Sequence, residues 1–181
     1  MGRITRALFV STNEDKAKEL QSALPDWTIE LLSADVPEEG ETYYENALAK
    51  ARHGLEARPG EWILGEDSGI EATALGGRPG IYSARWGGID RLLGELEGAG
   101  DRRARYVSEV VCFTPEGEER RGTGTLEGTV ALERRGTEGF GYDPVFIPDG
   151  ETQTVAELGN AWKAEHSHRA RAARALLRTL G

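Results

Sequence analysis

Glu66 and Asp67 are adjacent carboxylates in Gly65-Glu66-Asp67-Ser68-Gly69, directly after the apolar run Trp62-Ile63-Leu64. That run reads as the end of a buried strand, so the two carboxylates are expected where the chain leaves the core. Glycines flank them and let backbone come close to a ligand. A carboxylate pair so placed suits a hard cation such as Mg²⁺, or one metal ligand beside one general base. The plain alternative is an acidic turn solvated by water. A second chemistry-bearing stretch is Ser11-Thr12-Asn13-Glu14-Asp15-Lys16. Lys16 falls in the first turn of an expected helix, where a cation opposes the helix dipole. An anion held at that N-terminus would favour it; an N-cap followed by a solvated lysine is the simpler reading. Near the end of the chain, Ser167 can cap a last helix, with His168 and Arg169 in its first turn, where they could face a cleft.

The elements that must position these residues follow from periodicity. Ala7-Leu8-Phe9-Val10 is a first buried strand. Ala17, Leu20 and Leu24 mark the next helix, which Pro25 ends. Thr28–Leu32 is a second strand, and the loop from Ala34 to Gly40 is acidic, with Asp35, Glu38 and Glu39. A helix from about Thr42 to Ala57 carries Tyr44, Ala47, Leu48, Ala51 and Leu55 on one face and breaks at Arg58-Pro59-Gly60. Strand, helix, strand, helix, strand in the first third predicts an α/β sheet with loops gathered at one edge. Ile89, Leu92, Leu93 and Leu96 form a short amphipathic helix. Ala104–Thr114 and Gly122–Leu132 read as the arms of a long hairpin, weakened by the glycines of the second arm, that could form a second lobe over the first sheet. Val145-Phe146-Ile147 is a short strand. The final helix shows an apolar stripe of Ala173, Leu176, Leu177 and Leu180 opposite a largely solvated face with Arg169, Arg171, Arg174 and Arg178.

The chain of 181 residues, 38% hydrophobic and 29% charged, is that of an ordinary globular domain. We read residues 1–181 as one domain. A net charge of −9 argues against nucleic acid polymers or an anionic membrane as the main partner, though not against a nucleotide. Cys112 is the only cysteine, so there is no intramolecular disulfide and no cysteine-based zinc site; set in Val110-Val111-Cys112-Phe113, it reads as a buried structural thiol. No apolar run approaches the length of a membrane span, and Met1-Gly2-Arg3 does not open a signal-peptide core, so a cytoplasmic protein is expected.

Taken in order, the motifs are specific. Ser11–Lys16, Glu45-Asn46-Ala47-Leu48-Ala49-Lys50-Ala51, Glu66–Ile70 and Ala74-Leu75-Gly76-Gly77-Arg78-Pro79-Gly80-Ile81-Tyr82-Ser83-Ala84-Arg85 match one pattern. So do Gly139-Phe140-Gly141-Tyr142-Asp143-Pro144-Val145-Phe146, Ala156-Glu157-Leu158, Lys163 and Ser167-His168-Arg169. Over residues 7 to about 177 the chain resembles the inosine/xanthosine triphosphate pyrophosphatase family, also called ITPase or Ham1-like. The resemblance implies an α/β fold with a mixed, elongated central sheet, flanking helices and two lobes around a substrate cleft. It implies Mg²⁺-dependent hydrolysis of non-standard purine nucleoside triphosphates (ITP, dITP, XTP) to the monophosphate and pyrophosphate, and a homodimer.

By the same resemblance, Ser11, Thr12, Asn13, Glu14, Asp15 and Lys16 hold the triphosphate, and Asp67 activates or positions the attacking water and helps hold Mg²⁺. Glu38 and Glu66 are further metal carboxylates, and Ser68 contacts substrate. Phe140 stacks on the base, Gly141, Tyr142 and Asp143 complete that wall, and Lys163, His168 and Arg169 read the 6-keto group. Glu66 stands where many bacterial members have Asp, and the segment after Trp86 is short for the family. Two alternatives stay open: a sister pyrophosphatase acting on dTTP or UTP, and a nucleotide-binding sensor that no longer hydrolyses. The assembled base-reading motifs speak against the first, and the carboxylates clustered with Lys16 against the second.

Overall fold

The computed structural model describes residues 5–181; the Met1-Gly2-Arg3 stretch read above for targeting signals lies outside the described residues. A six-stranded mixed sheet is built from β1 (Thr5–Val10), β2 (Trp27–Leu32), β3 (Trp62–Ala72), β4 (Arg103–Phe113), β5 (Glu119–Val130) and β6 (Phe146–Pro148), in the order β2-β1-β3-β4-β5-β6. β1 runs parallel to β2 and β3, and every later pairing is antiparallel. Among the described residues six α-helices flank it: α1 (Glu14–Ala23), α2 (Tyr43–Ala57), α3 (Gly88–Glu95), α4 (Val155–Leu158), α5 (Asn160–His166) and α6 (His168–Thr179).

Residues 7–10 of β1 are all buried because helices cover both of its faces, which is why this strand is continuously apolar. Ala7, Phe9, Leu64, Val110 and Cys112 meet α1 and α6 on one side; Leu8, Val10, Ile63, Val111 and Phe113 meet α2 on the other. Farther along the sheet, on the α6 side, Ile70, Tyr106, Leu126 and Phe146 form a third cluster with Ile89 and Leu92 of α3.

Two expectations are corrected. The hairpin β4–β5 does not lie over the first sheet as a separate lobe; it extends the same sheet, and the eleven-residue β3 and β4 bridge both ends. The glycines of β5 do not weaken it but let α6 rest on its backbone: a Cβ at Gly124 would stand 2.0 Å from His168 O and 2.3 Å from Ala172 N. Secondly, Glu66 and Asp67 are not in a turn at a strand end. They lie inside β3 and are 1% and 2% exposed. Gly65 and Gly69 beside them answer to close packing: a Cβ at Gly65 would meet Ala47 O at 2.2 Å, and one at Gly69 would meet Gly80 O at 2.1 Å.

Candidate active site

β1 pairs with β3 only as far as Val10 opposite Gly65, so Glu66 and Asp67 lie just past the parallel edge with β4 alone at their side. Successive residues of a strand point to opposite faces. Asp67 faces α2, where Asn46 Nδ2 donates to its Oδ2 at 3.1 Å and Lys50 Nζ stands 3.6 Å from its Oδ1. Glu66 faces α6, and its Oε1 accepts from Arg169 Nε at 3.2 Å and Ser108 Oγ at 2.9 Å. Lys16 Nζ reaches Glu66 Oε2 at 2.9 Å, a charge-assisted contact to an oxygen that is otherwise enclosed.

Lys50 gathers the α2 side. Its ammonium donates to Glu38 Oε1 and to the Glu66 carbonyl, both at 3.0 Å. Arg85, from the 3₁₀ turn Gly80–Arg85, closes the outer side of Glu38 with Nη1 at 3.1 Å from Oε2. Burial raises Asp67 most; Lys50 offsets part of this, while Glu38 and Glu66 add to it, and the group ends at about 6. Burial acts on Glu38 in the same sense, but Lys50, Lys16 and Arg85 outweigh it and hold that carboxyl below its usual range. Burial also opposes ionisation of Glu66, yet Arg169, Lys16 and Lys50 hold it well below the usual carboxylate range.

On the α6 side a cleft of about 240 Å³ opens over β3 and β4. Its wall includes Asn13, Lys16, Ser68, Tyr106, Phe140, Gly141, Tyr142, Asp143, Lys163, His168 and Arg169. Lys163 Nζ donates to Asp143 Oδ2 at 2.7 Å and lies 3.1 Å from Glu19 Oε2. Arg169 donates from Nη1 to Glu19 Oε2 at 2.7 Å and from Nη2 to Ser68 Oγ at 2.8 Å. With Nε on Glu66, each terminal nitrogen keeps one N–H for a ligand, and Lys163 also keeps one. Burial works against the Glu19 charge, but Arg169 and then Lys163 bring it down to about 2. The Phe140 ring stands over Lys163 Nζ at 4.2 Å and over Arg169 at 5.5 Å. His168 stacks on Tyr106 with centroids 4.4 Å apart, and Tyr106 OH donates to Asp143 Oδ1 at 3.0 Å. Burial, helped by Arg169, lowers His168 to about 3, so it is neutral, and its buried Nδ1 has no partner. As a base reader His168 is therefore a neutral ring, which donates once and accepts once.

The structure unites Asn13, Lys16, Ser68, Phe140–Asp143, Lys163, His168 and Arg169 in one cleft. Ser11, Thr12, Glu14 and Asp15 do not line it. Ser11 Oγ accepts from Asn13 N, and Asn13 Oδ1 caps α1 by accepting from the N–H groups of Asp15 and Lys16. Glu14 and Asp15 are exposed in the first turn of α1, where acids favour the helix dipole. Lys16 joins the two sides, since its charge is felt by both Glu38 and Asp67 across the end of β1.

The three carboxylates expected to hold a metal do not form one set, because Glu66 leaves by the other face. Among the described residues no three acidic, histidine or cysteine side chains converge on a metal position. Mg²⁺ is commonly held by one or two carboxylates plus substrate phosphates and water, and Glu38 with Asp67 is a donor set of that kind. An ammonium already sits between them. Lys16, Lys50, Arg85, Lys163 and Arg169 are matched in number by Glu19, Glu38, Glu66, Asp67 and Asp143. A triphosphate therefore meets no surplus of positive charge here unless a cation comes with it.

Asn46, Lys50, Glu19, Arg85 and Tyr106 were not singled out as site residues. Two of them left a signal: Asn46 and Lys50 lie four apart on α2, interrupting the buried stripe of Ala47 and Ala51. Glu19 precedes buried Leu20 on α1 and gives no local sign of its partners on α5 and α6.

A model of the Ham1 family matches residues 7–179. The dITP/XTP pyrophosphatase of Bdellovibrio bacteriovorus is 40% identical over 179 residues, covering 90% of this chain and 89% of that protein. The dITP/XTP pyrophosphatase of Deinococcus deserti is 44% identical over 183 residues, with 94% and 88% covered. The Ham1 protein of Staphylococcus aureus superposes with a TM-score of 0.82 at 33% identity, over 97% of this chain and 98% of that one. The HAM1 protein of Coxiella burnetii gives a TM-score of 0.83 at 33% identity, over 98% of both chains. With the family model matched over nearly the whole described chain and these relatives alike in sequence and fold, the chain belongs to the Ham1 family.

Proposed function

We propose that the protein hydrolyses non-standard purine nucleoside triphosphates of the dITP, ITP and XTP kind to the monophosphate and pyrophosphate, with Mg²⁺. One observation carries the reading: the cleft entered by Lys16 at one end is lined at the other by Lys163, His168 and Arg169, cations and a neutral ring locked by buried acids with N–H groups to spare.

The triphosphate is drawn to Lys16 and Lys50 at the end of β1. Asp67, held by Asn46, orients a water and takes its proton as the water oxygen bonds to the α-phosphorus. The bond to the bridging oxygen breaks, and pyrophosphate leaves with that electron pair. Glu38 and Asp67 are the residues that would hold Mg²⁺, which when bound would neutralise phosphate charge. At the base end the donors of Arg169 and Lys163 accept the 6-oxo group of hypoxanthine or xanthine, while the amino group of adenine leaves them unpaired. Such a mismatch is worth roughly 10²–10⁴-fold. Phe140 supplies an aromatic face beside the donors.

The test is pyrophosphate release from ITP, dITP, XTP, ATP, dTTP and UTP, with and without Mg²⁺. ITP, dITP and XTP are expected to exceed ATP by at least about 10²-fold in kcat/KM. Preference for dTTP or UTP refutes the reading, and so does full activity in excess chelator. A homodimer is part of the proposal on family resemblance alone. Light scattering that returns the 19.7 kDa of one chain refutes that part.

A further inference from the structure

Glu66 is one of the most buried side chains among the described residues, and it touches both ends of the site. Oε2 faces Lys16 at 2.9 Å, at the phosphate end, and Oε1 accepts from Arg169 Nε at 3.2 Å, at the base end. Ser108 Oγ donates to the same Oε1 at 2.9 Å and fixes the carboxylate on β4. It points away from Asp67 across the strand. We propose that Glu66 is a positioning residue that couples phosphate binding to base recognition by sharing its charge between Lys16 and Arg169. The proposal rests on the reading above, in that it places phosphates at Lys16 and the base at Arg169.

The sign of the coupling follows from the geometry. In the free protein the two cations compete for one carboxylate. Lys16 holds Oε2 by one contact from a side chain that is still partly open to solvent, whereas Arg169 is enclosed, so a polyphosphate can draw the ammonium off and leave the guanidinium in place. Glu66 then belongs to Arg169 alone. The guanidinium, already tied by Nη1 to Glu19 and by Nη2 to Ser68, is held more firmly at the cleft wall with one N–H on each terminal nitrogen uncommitted. Firmer holding of a donor before the base arrives removes ordering cost from base binding. Phosphates and base therefore bind with positive cooperativity, and by linkage each strengthens the other equally.

The test uses separate halves of the substrate at one fixed Mg²⁺ concentration: inosine titrated by calorimetry or NMR, with and without inorganic tripolyphosphate whose saturation is first established by titrating it alone. In the wild-type protein tripolyphosphate is expected to tighten inosine roughly fivefold. In Glu66→Gln, which keeps the volume but not the charge, the effect is lost. Lys16→Met changes a partly exposed side chain and leaves the buried cluster in place. It should bind inosine about as tightly as the wild type does with tripolyphosphate, and should no longer respond to it. Glu66→Asp, which keeps the charge, should restore part of the coupling. A wild-type inosine affinity indifferent to tripolyphosphate overturns the proposal, as does a response undiminished in both variants. A rise in the Mg²⁺ needed for turnover by Glu66→Gln with the inosine coupling intact also overturns it and makes Glu66 a metal ligand. Failure of the functional reading shows separately, as a wild-type protein that does not prefer inosine to adenosine.

Discussion

Asp67→Asn should make the metal-free protein more stable at neutral pH while removing its activity. Asp67 is raised from its ordinary 3.8 to about 6, chiefly by burial and secondarily by Glu38 and Glu66. This rise corresponds to about 3 kcal/mol, the cost of holding the charged carboxylate in place. Between 3.8 and about 6 the folded state binds more protons than the unfolded one, so stability falls as pH rises through that window. The cost is absent below the unfolded value and fully present above the folded one. Asn removes the charge and keeps an oxygen for Asn46 Nδ2, but it leaves Lys50 with only Glu38 and the Glu66 carbonyl. The net gain expected is about 1–3 kcal/mol at pH 7.5, or about 2–4 °C in Tm per kcal/mol. Thermal unfolding without divalent ions, from pH 4 to 8, reads it: the two proteins should differ most above pH 6.5 and converge near pH 4. Turnover of ITP should fall by roughly 10² or more. A variant that is less stable at pH 7.5, or a difference independent of pH, refutes the account of the Asp67 environment. Near-normal turnover removes Asp67 from the chemistry.

His168, lowered to about 3, should stay neutral through the working range. Its folded value lies below the unfolded one, so its contribution to stability is complete above about 6.5 and lost as pH falls toward 3. NMR of the ring, assigned with His168→Gln, should show no titration between pH 5 and 8. Arg169→Met leaves buried Glu19 and Glu66 short of a partner; a loss of about 3–5 kcal/mol is expected in denaturant unfolding, with ITP-to-ATP discrimination collapsing in the folded fraction. Gly124→Ala forces a methyl against the backbone of His168 and Ala172, so α6 must move; about 1–3 kcal/mol should be lost, together with base discrimination, because α6 carries His168 and Arg169.

The alternation and periodicity of the chain were enough to place most of its elements. Ala7–Val10, the α2 stripe, the Ser167 cap and the two arms of the hairpin are local patterns with local causes: side-chain period, a cap hydroxyl, a turn at Pro115-Glu116-Gly117. The ordered motifs also identified the family and most of the residues that line the cleft. Three things depended on the tertiary structure. The β5 glycines look like strand breakers until α6 is laid on them, because only the packing shows what a Cβ would strike. Glu19 has no local signature, since its partners Lys163 and Arg169 lie 144 and 150 residues away in sequence. Glu66 and Asp67, neighbours in sequence, read as one carboxylate pair. The pleat of β3 sends one to Lys16 and Arg169 and the other to Asn46 and Lys50, because adjacent residues of a strand cannot share a face. The amino-acid types established that acidic chemistry belongs at this point of the chain. The opposed environments of the two carboxylates, one held ionised by cations and the other raised by burial, came from what the fold packs against each side of a single strand.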